Sequence, residues 1–234
     1  MFRPLIRIYI VYIRMILVFW GFILLILILG LFINQEVTTP FKESFSTNTV
    51  MVLLGDSILK NESYVKNGLS VSEYLKSKIT STYVYALNDS TIVDVYHQLG
   101  QIPLDYNHPN CSIFLSVGGN DILSNHIENI ESLRPIFIAY TKLIRSIQAK
   151  MDKSKLFLVN IYYPSGLKYS PYIPILAEWN KMIDDYAYES TNNIAGVVRL
   201  NELLKEKSDF THEIEPSESG GLKVAEAILK SISN

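Results

Sequence analysis

The chain has 234 residues, enough for one domain and an extension, and its 48% hydrophobic content is inflated by the first 34 residues. A formal net charge of -2 without a basic stripe gives no basis for nucleic-acid binding. The single cysteine, Cys111, excludes an intrachain disulfide, and one cysteine with four scattered histidines provides no zinc site. Because Cys111 opens an apolar run, we expect it to be a buried packing residue.

The N-terminal segment is the most apolar part of the chain. Residues 15–33 carry no charge and no proline. As a helix they would be roughly 28 Å long, close to the thickness of a bilayer's hydrocarbon core. Arg3, Arg7 and Arg14 precede it, and no acidic residue occurs before Glu36. The positive-inside tendency therefore predicts a single-pass anchor in residues 1–34, with a cytoplasmic N-terminus and an extracytoplasmic remainder.

A cleaved signal peptide and a buried core helix are the alternatives for this segment. A signal peptide normally has a shorter apolar region that ends in small residues, whereas residues 31–35 read Leu-Phe-Ile-Asn-Gln. We therefore favour the uncleaved anchor. Residues 35–47 are polar, contain one proline and are interpreted as a linker. The remaining domain is predicted to span residues 48–234.

Strands and helices are predicted to alternate through this domain. Apolar runs rich in strand formers predict strands at 50–54, 82–87, 112–117, 156–161 and 196–200. Helical spacing of apolar residues predicts helices at 70–79, 90–99, 133–151, 175–188 and 221–232, the second with Asp89 or Ser90 as its N-cap. The alternation indicates an α/β fold with a five-stranded parallel sheet covered on both faces. Ligands of such sheets bind beyond the carboxyl ends of the strands.

Polar residues with catalytic potential follow these strand ends. Ser57 comes two residues after the first strand, and Asn120 follows the third. A serine hydroxyl needs a base to remove its proton during attack, and His212 is the candidate. Asp209 precedes it by three residues, a spacing that can bring a carboxylate to one imidazole nitrogen and leave the other for Ser57. The backbone N–H of Ser57 and the Asn120 amide are suitable donors for an oxyanion.

Each of these motifs has an ordinary alternative, and their order along the chain is more informative than any one alone. Gly55-Asp56-Ser57 could be a turn, 118–121 (Gly-Gly-Asn-Asp) a loop, and 209–212 (Asp-Phe-Thr-His) the start of a surface helix. All three together resemble the SGNH hydrolases, the GDSL-like lipases and esterases, whose motifs are Gly-Asp-Ser, Gly-x-Asn-Asp and Asp-x-x-His. The resemblance implies a flavodoxin-like three-layer α/β/α sandwich, no metal or cofactor, and ester hydrolysis through an acyl-serine intermediate.

The second motif departs from the family pattern. The family has a glycine after strand two, whose backbone N–H completes the oxyanion hole, and here Asp89 occupies that place. Asp89 still offers a backbone N–H, so it is a doubtful third donor. Its carboxylate could crowd the site or repel an oxyanion, and aspartate tolerates positive φ less well than glycine. We therefore expect low activity or a reorganised oxyanion hole.

The sequence thus predicts a membrane-anchored serine ester hydrolase with Ser57, Asp209 and His212 as its catalytic residues. The substrate would be a lipid acyl ester or an O-acetylated glycan. A tyrosine-rich segment after the fourth predicted strand either lines a substrate pocket or simply packs as a loop; its aromatic residues are Tyr162, Tyr163, Tyr169, Tyr172 and Trp179. The alternatives to hydrolysis are a non-catalytic binding module on the same scaffold, which Asp89 supports, and acyl transfer to an acceptor other than water.

Overall fold

The computed structural model describes residues 20–21, 49–127 and 129–233. The predicted anchor over 15–33 and the linker over 35–47 lie outside these residues, apart from Trp20 and Gly21, which are helical. Within the described ranges, no helix combines the length and apolar character that a membrane crossing requires.

Five parallel strands form the central sheet. They are β1 (Val50–Gly55), β2 (Thr82–Val84), β3 (Cys111–Ser116), β4 (Lys155–Val159) and β5 (Gly196–Val198). Their order across the sheet is β2-β1-β3-β4-β5, and every pair is parallel. This is the flavodoxin-like order, so the predicted α/β fold with a five-stranded parallel sheet is confirmed. Two further short strands, β6 (Phe210–Thr211) and β7 (Glu215–Pro216), form an antiparallel hairpin.

Helices follow the strands of the sheet. They are α1 (Ser57–Lys60), α2 (Val71–Lys78), α3 (Ile92–Gln101), α4 (Gly119–Ser124), α5 (Leu133–Lys150), α6 (Ile173–Tyr188), α7 (Leu200–Leu203) and α8 (Glu218–Ser233). The longer helices cover both faces because alternate residues of each buried strand point to opposite sides. On β1, Val52 and Leu54 pack with α3, α5 and α6, whereas Met51 and Leu53 pack with α2 and α8. Cys111 is fully buried in the first of these clusters, as expected.

The segment between β2 and α3 differs from the sequence prediction. Strand β2 ends at Val84 because the backbone N–H groups of Tyr85 and Ala86 both donate to the Leu53 carbonyl, so the regular ladder stops there. Helix α3 begins at Ile92, and the predicted N-cap at Asp89 or Ser90 is wrong. The Asp94 carboxylate instead accepts hydrogen bonds from the Thr91 N–H at 2.8 Å and hydroxyl at 2.7 Å. Residues 85–91 are therefore a loop at the carboxyl edge of the sheet.

Candidate active site

Ser57 is the first residue of the short helix α1, directly beyond β1. Gly55 ends the strand at φ +129°, and a Cβ there would lie 1.7 Å from the Ser116 carbonyl oxygen. Only glycine fits this turn. Asp56 caps the helix by accepting a hydrogen bond from the Ile58 N–H at 3.2 Å. The turn thus presents Ser57 at the carboxyl edge of the sheet with only 7% of its surface exposed.

The buried amide of Gln98 fixes this turn. Its Oε1 accepts a hydrogen bond from the Gly55 N–H at 2.8 Å, and its Nε2 donates to the Gly55 carbonyl at 2.8 Å. The same Nε2 donates to the Ser90 hydroxyl at 3.0 Å. Gln98 therefore joins the Ser57 turn to the loop that contains Asp89 and Ser90. Such fully satisfied buried networks favour one arrangement of the groups that they connect.

Asp56, the residue before Ser57, has a buried carboxyl group. Burial raises the pKa of Asp56 to about 7, although hydrogen bonds from the Ser116 hydroxyl at 3.0 Å and the Ile58 N–H act against this rise. The nearby carboxylate of Glu215 raises the pKa further. Asp56 is thus held in place by its neighbours, and its hydrogen bonds serve the turn rather than the Ser57 hydroxyl.

The Ser57 hydroxyl contacts a carboxylate rather than an imidazole. It donates a hydrogen bond to Oε1 of Glu215 at 3.2 Å. The other oxygen of this carboxylate, Oε2, is buried and has no hydrogen-bond partner among the described residues. Burial raises the pKa of Glu215, the Ser57 hydroxyl lowers it, Asp89 raises it, and His212 lowers it. Sequence reasoning did not identify Glu215 as a site residue.

The structure places Asp209 and His212 with other partners. Asp209 is 1% exposed, and its Oδ1 accepts a hydrogen bond from the Lys223 ammonium at 2.7 Å. Its Oδ2 accepts the backbone N–H groups of Lys205 and Glu206, both at 3.0 Å. His212 is exposed at φ +50° in the turn of the β6–β7 hairpin. Among the described residues no hydrogen bond joins His212 to Asp209 or to Ser57, so the predicted hydrogen-bonded row is not formed.

The hairpin turn leads directly into Ile214 and Glu215, which line the cleft. The His212 ring makes an edge contact with Tyr64, with 6.3 Å between the ring centroids. The next residue, Glu213, also has a positive φ, of 67°, and pairs with Lys168 at 3.3 Å. Two consecutive left-handed residues produce a tight reversal after Thr211 and bring the chain back at Glu215. The reversal explains why Glu215, and not His212, points toward Ser57.

Two of the three predicted oxyanion donors, Ser57 and Asn120, lie in the first turns of short helices, and Asp89 lies in the loop before α3. Asn120 is the second residue of α4, and its Nδ2 donates a hydrogen bond to the Ser90 carbonyl at 3.0 Å. Asp89 adopts φ +58°, the left-handed conformation that the family's glycine would favour. The backbone N–H groups of Ser57 and Asp89 have no hydrogen-bond acceptor within the part of the chain that the structure describes. These donors are available to a ligand, and their role in an oxyanion hole stays a prediction.

A cleft of about 500 Å3, including its open mouth, lies beside Ser57. Its walls are mainly apolar and aromatic: Ile58, Leu123, Ile161, Tyr162, Pro164, Tyr169, Tyr172, Leu176 and Ile214. Ser57, Asn120 and Glu215 supply polar groups at its wall. Of the tyrosine-rich segment, three tyrosines line the cleft, whereas Trp179 is fully buried in the core. An apolar cleft with a few convergent polar groups is typical of a small-molecule site.

Known proteins share the fold of this chain. No protein-family model matches the sequence, and no curated protein matches it. Solved structures do match: a lipolytic protein of the G-D-S-L family from Veillonella parvula superimposes with a TM-score of 0.62 at 18% identity, covering 80% of this chain and 99% of that one. A family 3 carbohydrate esterase from Clostridium thermocellum gives 0.57 at 19% identity, covering 78% and 94%.

A catalytic mutant of an acetylxylan esterase from Geobacillus stearothermophilus gives a TM-score of 0.57 at 16% identity, covering 80% of this chain and 95% of that one. At these identities the likeness concerns the fold. The domain therefore has the α/β fold of GDSL-type lipolytic proteins and esterases, as the sequence resemblance implied.

Proposed function

We propose that this chain is a serine ester hydrolase of the SGNH type, with Ser57 as the nucleophile that forms an acyl-enzyme. The observation that carries this proposal is the position of the Ser57 hydroxyl: it lies at the carboxyl edge of the sheet, beside an apolar cleft, and 3.2 Å from a carboxylate oxygen that can accept its proton. A nucleophile hydrogen-bonded to a base is the arrangement that covalent ester cleavage requires.

The cleft favours esters with short or medium acyl groups. Its apolar wall suits a hydrocarbon chain, and the space beside Ser57 is small. The fold neighbours include proteins described as lipolytic and as carbohydrate esterases, so both lipid acyl esters and O-acetylated glycans are candidate substrates. We favour an acyl ester that places its hydrocarbon group among the cleft tyrosines.

We also propose that the N-terminal segment anchors the protein in a membrane. The uncharged run over 15–33 and the arginines before it support a single-pass anchor with an extracytoplasmic catalytic domain. Deleting residues 1–34 should release the protein from membranes washed at alkaline pH, whereas the full chain should stay with them. Release of the full chain by the same wash would contradict the anchor.

Ser57→Ala tests the proposed chemistry. The full-length chain would be assayed on a series of p-nitrophenyl esters from acetate to decanoate, and with a fluorophosphonate probe. We expect Ser57→Ala to lower kcat/KM on the order of 10³-fold or more and to abolish labelling, because the nucleophile is lost. Ser77→Ala, which changes an exposed serine on α2, is the matched control. A folded wild-type chain that neither hydrolyses esters nor takes the label would refute the proposal.

A non-catalytic binding module is the second candidate function. The exposure of His212 and the pairing of Asp209 with Lys223 favour it, because neither residue completes a serine–histidine–aspartate row. In that case the cleft would bind an ester or a sugar without turnover. Retention of a ligand by both the wild type and Ser57→Ala, with no fluorophosphonate labelling of either, would establish it.

A further inference from the structure

We propose that Glu215, and not His212, is the general base that accepts the Ser57 proton. This inference rests on the proposed hydrolase function and names the residue that activates the nucleophile. The Ser57 hydroxyl donates to Glu215 Oε1 at 3.2 Å, within the reach that proton transfer requires. The His212 side chain is exposed in a hairpin turn and forms no hydrogen bond with Ser57 in the described part of the chain.

The fold holds Glu215 in this place from two sides. Glu215 belongs to β7, which pairs with β6 through Thr211. The next residue, Pro216, accepts a hydrogen bond through its carbonyl from the fully buried Asn61 side chain at 2.9 Å. Asn61 caps the C-terminus of α1, the helix that Ser57 begins. The nucleophile and the carboxylate are therefore tied to the same short element.

This segment of the sequence contains two pairs of an acid and an imidazole with the same spacing but in opposite order. Asp209 and His212 are an acid and an imidazole three residues apart, and His212 and Glu215 are an imidazole and an acid with the same spacing. The first acid is already used by Lys223 and two backbone N–H groups. The second acid faces the nucleophile, directly before Pro216 and helix α8. The pair relevant to Ser57 is thus the second one.

The surroundings of Glu215 suit a base. Its Oε2 is buried without a partner among the described residues, so its charge is only partly compensated and the carboxylate gains from taking up a proton. Other ionisable groups surround it: the acids Asp56 and Asp89, the phenols of Tyr64 and Tyr162, and the imidazole of His212. Burial and Asp89 raise the pKa of Glu215, and His212 opposes the rise. A more basic carboxylate takes the serine proton more readily.

The chemistry balances with Glu215 alone as the proton carrier. The Glu215 carboxylate takes the hydroxyl proton as Ser57 Oγ forms a bond to the ester carbonyl carbon, whose oxygen becomes the oxyanion. The oxyanion collapses, the bond to the alkoxide breaks, and the Glu215 acid returns the proton to that leaving group. Water then attacks the acyl-serine while Glu215 takes its proton, and collapse releases the carboxylic acid and returns the proton to Ser57.

The role given to His212 is one of positioning rather than proton transfer. Its charged form lowers the pKa of Glu215 across the hairpin and so keeps the carboxylate ionised. We expect His212→Ala to shift the acidic limb of the pH profile of kcat/KM to higher pH. The activity at the plateau should change little, because Glu215 is ionised there with or without His212.

Chemical rescue separates the two candidate bases. In the full-length chain we expect Glu215→Ala to lower kcat/KM by about 10²- to 10⁴-fold and formate to restore part of it, because formate supplies the missing carboxylate. Imidazole should not raise the activity of His212→Ala, because that variant should have lost little activity. Glu213→Gln, which neutralises the exposed neighbouring carboxylate, is the matched control and should keep wild-type activity. Circular dichroism verifies that each variant is folded.

Two failures are distinguishable. If His212→Ala loses as much activity as Ser57→Ala and imidazole restores it, or if formate fails to restore Glu215→Ala, the assignment of Glu215 is overturned while the hydrolase function stands. If the wild type has no esterase activity and no fluorophosphonate labelling, the hydrolase function fails and the assignment fails with it. The rate at which the fluorophosphonate probe labels Ser57 is a measurement that needs no turnover. This rate should rise as the pH passes through the Glu215 pKa, and the pH dependence should be lost in Glu215→Gln.

Discussion

Asp209→Asn is the most informative single substitution because Asp209 has two possible roles. In a serine–histidine–aspartate row it would orient His212, whereas in the structure its two carboxylate oxygens bind different structural partners. Oδ2 accepts two backbone N–H groups, and Oδ1 pairs with the Lys223 ammonium at 2.7 Å. Asparagine can keep its oxygen at the Oδ2 position and so retain both backbone hydrogen bonds. It then turns an amide N–H₂ group toward Lys223, and only the ion pair is lost.

The magnitude follows from these contacts. A hydrogen bond between charged groups contributes about 1.5–3 kcal/mol, but the Lys223 side chain is 41% exposed and can turn to water, so we expect a loss of about 1–2 kcal/mol in the free energy of unfolding. Asp209→Ala also leaves the N–H groups of Lys205 and Glu206 without an acceptor. Each unsatisfied group adds about 1 kcal/mol or more, and the total loss should reach about 3–5 kcal/mol.

The pH dependence of this loss has a defined sign. Burial alone would raise the pKa of Asp209, but the hydrogen bonds from Lys223 and the two backbone N–H groups lower it overall. A carboxyl group whose folded pKa lies below its unfolded value of about 3.9 stabilises the fold above that value. The stability difference between the wild type and Asp209→Asn should therefore be complete at pH 7 and disappear as the pH falls through the folded pKa.

Urea unfolding of the full-length variants, followed by circular dichroism at 222 nm, measures the stability. Parallel esterase assays measure kcat/KM under conditions where each variant is folded. We expect a stability loss with kcat/KM within about tenfold of the wild type, because Asp209 does not contact the proposed proton carrier. Abolished turnover in Asp209→Asn with an unchanged free energy of unfolding would refute a purely structural role, since that outcome assigns Asp209 to orienting His212.

Two further substitutions test the turn and the proposed oxyanion hole. Gly55→Ala should lower the free energy of unfolding by about 3 kcal/mol or more, measured by urea unfolding, because the added Cβ would meet the Ser116 carbonyl at 1.7 Å with φ at +129°; an unchanged midpoint would contradict the turn geometry. Asn120→Ala should lower kcat by about 10²- to 10³-fold through loss of an oxyanion donor, with Asn125→Ala, at the exposed C-terminal end of the same helix, as the control. Equal kcat in these two variants would remove Asn120 from the oxyanion hole.

The sequence predicted the sheet because its strands have a strong local signal. The continuous apolar runs at 51–54 and 113–115 are buried on both faces, and a strand buried in that way needs no polar alternation. The positions of Ser57 and Asn120 followed from the rule that parallel strands end at one edge. For the same reason the Gly55 turn could be anticipated, although its close contact with Ser116 could not.

The carboxylate beside Ser57 could not be predicted because its position depends on a short non-local contact. Strands β6 and β7 have two residues each, too few for any periodicity, and two consecutive left-handed residues between them decide which side chain returns to the sheet. The spacing of Asp209 and His212 matched the family pattern, so it concealed the second pair at His212 and Glu215. An available signal was the position of Glu215 directly before Pro216 and the glycine pair that opens α8.

The aspartate at the second-motif position acquires a different meaning when the base is a carboxylate. Asp89 takes the left-handed conformation at φ +58°, which costs a non-glycine residue of order 1 kcal/mol. Beside an imidazolium its negative charge would stabilise the protonated base. Beside Glu215 it raises the pKa of the base instead, and this makes Glu215 a stronger proton acceptor at the pH values where it is ionised.

With the proposed carboxylate base, the oxyanion donors must provide more of the stabilisation of the developing negative charge. An imidazole base becomes a cation that offsets the developing oxyanion, whereas Glu215 becomes neutral, so the negative charge moves within the site without a compensating positive partner. Asp89 adds a further negative charge near Glu215. The Asn120 amide and the backbone N–H groups of Ser57 and Asp89 must then stabilise the oxyanion alone. Loss of Asn120 should consequently be more damaging here than loss of His212, an order that the proposed variants measure directly.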